Sequence, residues 1–296
     1  MEDRMARRIF VTGATGTVGN AVMASLREKA QEGRIDLVGA ARSDTAAEKL
    51  HAQGFTPVRF DFDAPETLRP ALRGVQSMFL LTGYSVDMLV HAKRALDAAR
   101  AEGVEHIVHL GALASENTPH AHFAWHQLIE RAIEGMGFRW THLHPNFFMD
   151  TVWKGFVHRP DRLVHFVGNR TVSFIASDDM AAVAATTLLD PGTHAEKAYP
   201  LAVEAMSYTE LAELLEKITG KPVSYRPRPS ADLRAILERQ GAEPLYAAGL
   251  TEGMAEIERG GMPEAGLVSD AVERVLGRPP TRWHDFATAR LHELAR

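Results

Sequence analysis

The chain contains no cysteine. That excludes disulfides, thiolate metal ligands and thiol nucleophiles together, and it fits a reducing compartment. Long hydrophobic runs are missing as well. The basic Arg4, Arg7 and Arg8 are followed only by Ile9-Phe10-Val11 before glycines begin, too short for the core of a secretory signal. No stretch approaches the roughly 20 apolar residues of a membrane-spanning helix. A soluble, cytoplasmic protein with no membrane partner is the expectation. Positive charge is not in excess either: 33 Lys and Arg face 38 Asp and Glu, a formal net charge of -5. Such a balance argues against a nucleic-acid partner. There is no internal repeat and no low-complexity linker.

What is present is a globular mixture, 45% hydrophobic and 24% charged over 296 residues. That length suits one large α/β domain or a nucleotide domain with an appendage. Short apolar runs recur at 9–12, 36–41, 57–60, 78–82, 106–110 and 140–143. They are apolar on both sides rather than alternating, which predicts strands of a parallel sheet covered on both faces. Helical periods lie between them. Leu89, Ala92, Leu96 and Ala99 form one stripe, and Gly103 stops that helix. Thr45-Ala-Ala-Glu48 and Ser207-Tyr-Thr-Glu210 both read as capping boxes that open helices. Strand–helix alternation repeated about six times implies an α/β, Rossmann-type doubly wound parallel sheet. After residue 145 the pattern loosens. Residues 145–170 lack a clear period and are expected as loops beside a cleft; a helix at 178–189 and a strand at 198–203 follow. Arg226 and Arg228, alternating with prolines, read as a solvated edge strand. The expected division is a nucleotide-binding domain at 1–150 and a smaller, mostly helical substrate-side subdomain at 151–296, interleaved with the sheet.

The strongest motif is Thr12-Gly-Ala-Thr-Gly-Thr-Val-Gly19, between the first strand and the first helix. A dinucleotide's diphosphate needs bare backbone amides at a helix N-terminus, with no Cβ in the way. Gly13 lets the chain turn, Gly16 lets the phosphate approach, and Gly19 lets helix and sheet pack closely; Thr15, Thr17 and Val18 complete the loop. About 20 residues on, the second strand ends in Gly39-Ala-Ala-Arg42-Ser43. A carboxylate there would take the ribose hydroxyls of NAD. A guanidinium pairs instead with a 2′-phosphate, so Arg42 selects NADP, with NADPH preferred over NADH. Asp61 and Phe62, after the third strand, are candidates to border the adenine, and Asp63 reads as a helix cap. Thr82 and Gly83 end the fourth strand where the nicotinamide should come closest.

With these motifs the sequence resembles the NmrA-like branch of the atypical short-chain dehydrogenases/reductases. The resemblance also rests on Ala99-Arg-Ala-Glu-Gly-Val-Glu-His-Ile-Val-His-Leu110, on His126-Gln-Leu-Ile-Glu130 followed by Gly137, Thr141 and Pro145-Asn-Phe-Phe-Met149, and on Asp178-Asp-Met-Ala-Ala-Val-Ala184 with Tyr199-Pro-Leu. It implies a relative of quinone reductases, triphenylmethane-dye reductases and imine-type reductases, or of regulators that bind the nucleotide and reduce nothing. Three departures stand out. Ala121–Glu130 contains neither Tyr nor Lys, so the Tyr-x-x-x-Lys pair that polarises a carbonyl is missing. The fifth strand ends Leu110-Gly-Ala-Leu113 without the serine often found there. The family's Leu-Arg-Pro is Leu143-His144-Pro145. An ordinary alcohol dehydrogenase needs a positioned acid or base for the hydroxyl proton, and none of the usual type is present.

Hydride transfer to an electron-poor acceptor demands less, because alignment and exclusion of water carry most of the work. His126 is the candidate catalytic helper, giving a proton or hydrogen bond to the reduced product. Glu130, one turn on, is expected to pair with it. Tyr84, Asn146, Phe147, Phe148 and Trp153 are the candidate substrate wall, suited to a small aromatic or quinone-like molecule. His120, His122 and His126, His106 with His109, and His142 with His144 cluster along the chain. No carboxylate or cysteine completes a recognisable ligand set among them, so no metal is expected. The functional expectation is an NADPH-dependent oxidoreductase acting on a quinone, cationic dye or imine-like acceptor. The alternative is an NADP(H)-sensing regulatory protein without turnover that acts through a protein partner. A homodimer is left open.

Overall fold

The structure is a computed structural model that describes residues 6–295; Arg4 lies outside the described residues. The first half builds β1 (Arg7–Val11), α1 (Thr17–Gln31), β2 (Ile35–Ala41), α2 (Asp44–Ala52), β3 (Thr56–Arg59) and α3 (Leu68–Leu72). It continues with β4 (Ser77–Leu80), α4 (Met88–Ala101), β5 (His106–Leu110), α5 (Ala121–Gly135) and β6 (Arg139–Pro145). The second half adds β7 (Phe147–Phe148), α6 (Met149–His158), β8 (Arg162–His165), β9 (Val172–Ile175), α7 (Ser177–Leu189), α8 (Pro191–His194) and β10 (Lys197–Leu201). Then come β11 (Glu204–Met206), α9 (Tyr208–Thr219), β12 (Ser224–Pro227), α10 (Ser230–Arg239), α11 (Pro244–Arg259), α12 (Ala271–Leu276) and α13 (Trp283–Ala289).

The main sheet is parallel throughout, in the order β10-β6-β5-β4-β1-β2-β3. Successive side chains point to opposite faces, so each strand feeds two cores. Ile9, Val11, Phe79 and Val108 face the layer that holds α1 and α7, whereas Phe10, Met78, Leu80 and Ile107 face the layer of α3 and α4. All eight are fully buried. β10 joins the sheet beside β6, so the second half of the chain returns to complete the layer begun by the first. A three-stranded sheet, β11-β9-β7, and a parallel pair, β12-β8, extend beyond the carboxyl end of β6. Among the described residues no helix is long and apolar enough to cross a membrane.

Local chemistry accounts for the helix ends. Ser207 and Glu210 form the expected capping box at α9, and Gly220, at φ 67°, closes that helix in the left-handed conformation. At α2 the box expected at Thr45 is replaced by a cap two residues earlier. Ser43 is extended (φ -149°), and its Oγ accepts from the Ala46 N–H at 3.2 Å. α7 has no capping side chain of its own; the Asp150 carboxylate, from α6, accepts the Ser177 N–H at 2.7 Å.

One expectation is corrected here. Residues 145–170 carry β7, α6 and β8 rather than loops. α6 is amphipathic, with Met149, Trp153 and Phe156 on its buried face, Thr151, Lys154 and His158 exposed, and Val152 and Gly155 on the flank that borders a cavity. The period is only ten residues long and lies between two short strands, which obscured it in the sequence. β12 pairs with β8 as the exposed edge strand expected, and Arg228, exposed and paired with Asp232 at 2.8 Å, also reaches the rim of that cavity.

Candidate active site

The sheet order reverses between β1 and β4, which leaves a crevice at the carboxyl ends of those strands. Thr12 fastens the crevice. It is fully buried, its Oγ lies 3.0 Å and 2.9 Å from the carbonyl oxygens of Phe79 and Leu81, and it accepts the Leu81 N–H at 2.7 Å. The chain then turns at Gly13 (φ +61°), where an added Cβ would meet Leu81 Cδ2 at 2.7 Å. At Gly19 a Cβ would lie 2.2 Å from the Gly13 carbonyl oxygen, so the first turn of α1 packs on the loop only with glycine there. Gly16 caps α1 without any side-chain hydrogen bond, and no acidic residue lies in the first turn. The leading amides of α1, from Thr17 to Gly19, have no intrahelical acceptors. With Thr15, Gly16, Thr17 and Val18 at least partly open to solvent, the loop is a cradle of bare donors at the positive end of a helix. A diphosphate fits it.

Arg42 follows β2 and is exposed. Lys49, on α2, donates from Nζ to the Thr15 carbonyl at 3.0 Å, so a second cation stands on the rim of the loop. Sequence reasoning missed it; the only signal was a lysine two turns along the helix that Arg42 precedes. After β3, Phe62 stacks on His91 with ring centroids 5.2 Å apart, and Arg94 donates to the Phe62 carbonyl at 3.2 Å. Asp61 accepts the Asp63 N–H at 3.1 Å. Asp63 is not a cap: its carboxylate lies 3.0 Å from His91 Nε2.

Beyond the carboxyl ends of β4, β5 and β6 lies a cavity of about 850 Å³. Thr82, Gly83, Tyr84, Asn146, Phe147, Phe148 and His126 all border it, so the structure brings most of the proposed substrate side together. Asn146 is fixed in place, donating from Nδ2 to Ser173 Oγ at 2.8 Å and to the Ala265 carbonyl at 2.6 Å. Tyr84 stands at the mouth, 78% exposed.

Trp153 is the exception. Its indole is 3% exposed, packs against Phe156 and Phe286, and donates from Nε1 to Glu293 at 3.0 Å. It belongs to the core beneath α6, because the helical period turns residues 149, 153 and 156 inward together. Its expected place in the wall is taken by residues far along the chain, among them Tyr246 of α11. The Tyr246 ring is 2% exposed, and its hydroxyl lies 3.4 Å from His122 Nδ1. Burial raises the Tyr246 pKa far above that of a free phenol, so the hydroxyl keeps its proton. A tyrosine does hang over the cavity, but from the helical C-terminal part rather than from α5.

His126 lies 5.3 Å from the His122 ring and 5.6 Å from that of His109, measured between centroids. Burial, helped by the neighbouring imidazoles, pushes its pKa well below the usual value, and burial lowers His122 to about 4. Both rings are neutral at pH 7, so His126 is no charged acid there. Its expected pairing with Glu130 does not occur. The Glu130 carboxylate turns under the sheet to His144 Nε2 at 2.8 Å and stands 3.7 Å from His109 Nδ1. Burial opposes its ionisation, yet the hydrogen bond from His144 and the nearby His109 ring outweigh that and hold the carboxylate ionised. Two departures from the family pattern thereby gain a reason. A Cβ on Gly111 would meet Glu130 Oε1 at 2.6 Å, so a side chain there would displace the carboxylate from His144, which supplies its partner.

A phosphate cradle at the switch point of a parallel sheet, opening beside a large apolar cavity, defines a dinucleotide-binding protein of the Rossmann class. The particular branch is given by residues 5–258, which match the NmrA-like family, and the chain belongs to that family. It is 30% identical to the NAD(P)H azoreductase of Xenophilus azovorans over 95% of this chain and 97% of that one. It is also similar to the NADPH-dependent quinone oxidoreductase QOR2 of Escherichia coli, solved with NADPH: 26% identity, TM-score 0.81, covering 96% of this chain and 99% of the other. The triphenylmethane reductase of Citrobacter sp., solved with NADP(H), shares 25% identity at a TM-score of 0.80, again covering 96% and 99%.

Proposed function

We propose that the chain is an NADPH-dependent reductase that delivers hydride to an activated acceptor, a flat quinone-like or imine-like compound. The observation that carries this reading is the junction of the glycine cradle with the cavity at the ends of β4, β5 and β6, where no Tyr–Lys pair stands on α5. The relatives' names support the cofactor, and they mention an azo reductase, a quinone oxidoreductase and a dye reductase. A delocalised π system that takes up hydride without prior protonation is the chemistry common to those names.

Bound NADPH supplies the hydride. The chain's own groups bind and orient. The amides of Thr17 to Gly19 would take the diphosphate, Arg42 would pair with the 2′-phosphate, and Asp61 and Phe62 would border the adenine. Thr82 and Gly83 bound the nicotinamide side of the cavity, while Phe147 and Phe148 hold the acceptor's plane and exclude water. As hydride arrives at a quinone, negative charge grows on its oxygen. The neutral His126 ring and the protonated Tyr246 hydroxyl are the donors that face this space. The proton that completes the hydroquinone enters from solvent through the mouth at Tyr84.

Consumption of NADPH by the purified protein, followed against a panel of quinones, azo dyes, triphenylmethane dyes and imines, tests the reading. Turnover with a quinone is expected, and His126→Phe is expected to lower kcat more than it raises KM. Absence of turnover with every member, together with capture of a protein partner in only one redox form of the nucleotide, would replace it with the sensing role.

A further inference from the structure

Behind the cavity wall, α5 faces β5 and β6 across a patch of imidazoles and carboxylates that the reductase reading does not use. We propose that this patch is a divalent-metal site, in which His109, His142 and Glu130 hold a zinc-like ion that clamps α5 to the sheet.

The donor atoms of these three residues already lie within 4.8 Å of one another. A four-coordinate ion with bonds of about 2.0–2.1 Å places its ligand atoms roughly 3.3 Å apart, so small side-chain rotations close the set. His109 is 0% and His142 2% exposed, and both ring nitrogens of each are buried without a hydrogen-bond partner. The nearest carboxylates do not repair this. Glu130 Oε1 is 3.7 Å from His109 Nδ1 and Glu134 Oε1 is 3.4 Å from His142 Nε2, and neither contact has hydrogen-bond geometry. Buried polar atoms are nearly always paired, and four orphaned nitrogens on two facing rings are costly unless something sits between them.

The chemistry of the donors selects the occupant. The set holds imidazole nitrogen and carboxylate oxygen and no sulfur, which suits zinc, cobalt or nickel better than magnesium or calcium. The ionised Glu130 supplies negative charge, and His144, 2.8 Å from the same carboxylate, fixes its orientation from the other side. Sequence reasoning counted these histidines and saw no acid to complete them. The acid is Glu130, which is 21 positions from His109 along the chain and is brought over only when α5 packs on the sheet.

The experiment uses the full chain purified without a polyhistidine tag, stripped with a chelator and titrated with Zn²⁺ and Co²⁺. The expected result is about one tightly held equivalent, visible d–d bands for the cobalt form, and a melting temperature that rises with zinc. His109→Gln and His142→Gln should each weaken zinc binding by at least about a hundredfold, since even the loss of an outer-shell group costs about 10–100-fold. His284→Gln, at the exposed His284–Asp285 pair, should leave it unchanged. Absence of cobalt bands in the unaltered protein overturns the proposal and assigns the gap to water. Unchanged zinc affinity in His142→Gln overturns it as well. If both variants fail to fold, the cobalt spectrum of the unaltered chain decides alone. NADPH turnover does not enter this test, so failure of the metal site and failure of the reductase reading are separable.

Discussion

The glycine cradle and the apolar cavity lie side by side, yet they are made in opposite ways. The cradle is built from backbone amides, and its shape depends on atoms that are missing: a Cβ at Gly19 would collide with the Gly13 carbonyl at 2.2 Å. The cavity is built from side chains that arrive from β5, β6, β7 and β8, from the loop after β4, and from helices that include α5, α6 and α11. One site is local in sequence and the other is assembled by tertiary packing. The contrast sets what substitution should tell: at the cradle a change in nucleotide affinity, and around the cavity a division between residues that hold the fold and residues proposed to meet the acceptor.

The sharpest separation on the cavity side is between two aromatic neighbours. Trp153→Ala removes a fully packed indole and orphans Glu293, and it should cost about 3–5 kcal/mol of stability in urea unfolding. The NADPH and acceptor KM of the surviving folded protein should be unchanged. Phe147→Ala should do the reverse, raising the acceptor KM with a smaller loss of stability. If Trp153→Ala raised the acceptor KM as Phe147→Ala does, the boundary drawn between core and cavity wall would be wrong.

On the cradle side, Arg42→Ala should weaken NADPH binding by about 1.5–3 kcal/mol, the worth of a charge-assisted contact, and leave NADH binding nearly unchanged. Isothermal titration with the two nucleotides measures the difference directly. Equal losses would show that Arg42 does not read the 2′-phosphate.

How far each region was legible follows from the same contrast. The strands at 36–41 and 106–110, the cradle at 12–19 and the box at Ser207 are local patterns, and the structure carries them where the pattern puts them. Thr45 misled because a serine two residues earlier was free to adopt extended backbone and cap the helix first. Trp153 misled because an aromatic in an apolar stretch reads alike whether it faces core or cavity. Tyr246 gave no signal, being 120 residues from the His126 that it approaches through His122. Glu130 was seen, but its partner was misassigned: i,i+4 spacing places two residues on one helix face and says nothing of which strand the carboxylate meets.

Buried histidines add a pH dependence that is spread over the fold. His106 is 1% exposed, lies 3.0 Å from Thr141 Oγ1, and is pushed down to about 4 by burial with help from Arg7 and Arg139. The unfolded chain protonates this ring near its ordinary value of 6.5, and the folded chain does so only near 4. Between those values the unfolded state holds the extra proton, so stability falls as pH falls. The slope is up to about 1.4 kcal/mol per pH unit for each such histidine, and it vanishes above the unfolded value. Urea midpoints at pH 7, 6 and 5 should drop progressively, and His106→Gln should flatten the slope by one proton's worth. A variant with an undiminished slope would place the acid sensitivity elsewhere.

The smallest effect separates the two cations of the cradle. Lys49 is exposed, and its one partner is the Thr15 carbonyl, 3.0 Å away on the loop itself. Arg42 has no recorded ion-pair partner among the described residues and is free to meet a ligand. Lys49 therefore steadies the loop, whereas Arg42 is the cation proposed to read the phosphate. An exposed contact of this kind is worth roughly 0.2–1 kcal/mol and is screened by salt. Lys49→Met should accordingly weaken NADPH and NADH by the same modest factor, with the loss shrinking as ionic strength rises. A loss confined to NADPH would make Lys49 a second phosphate reader, and the discrimination assigned to Arg42 would have to be divided between them.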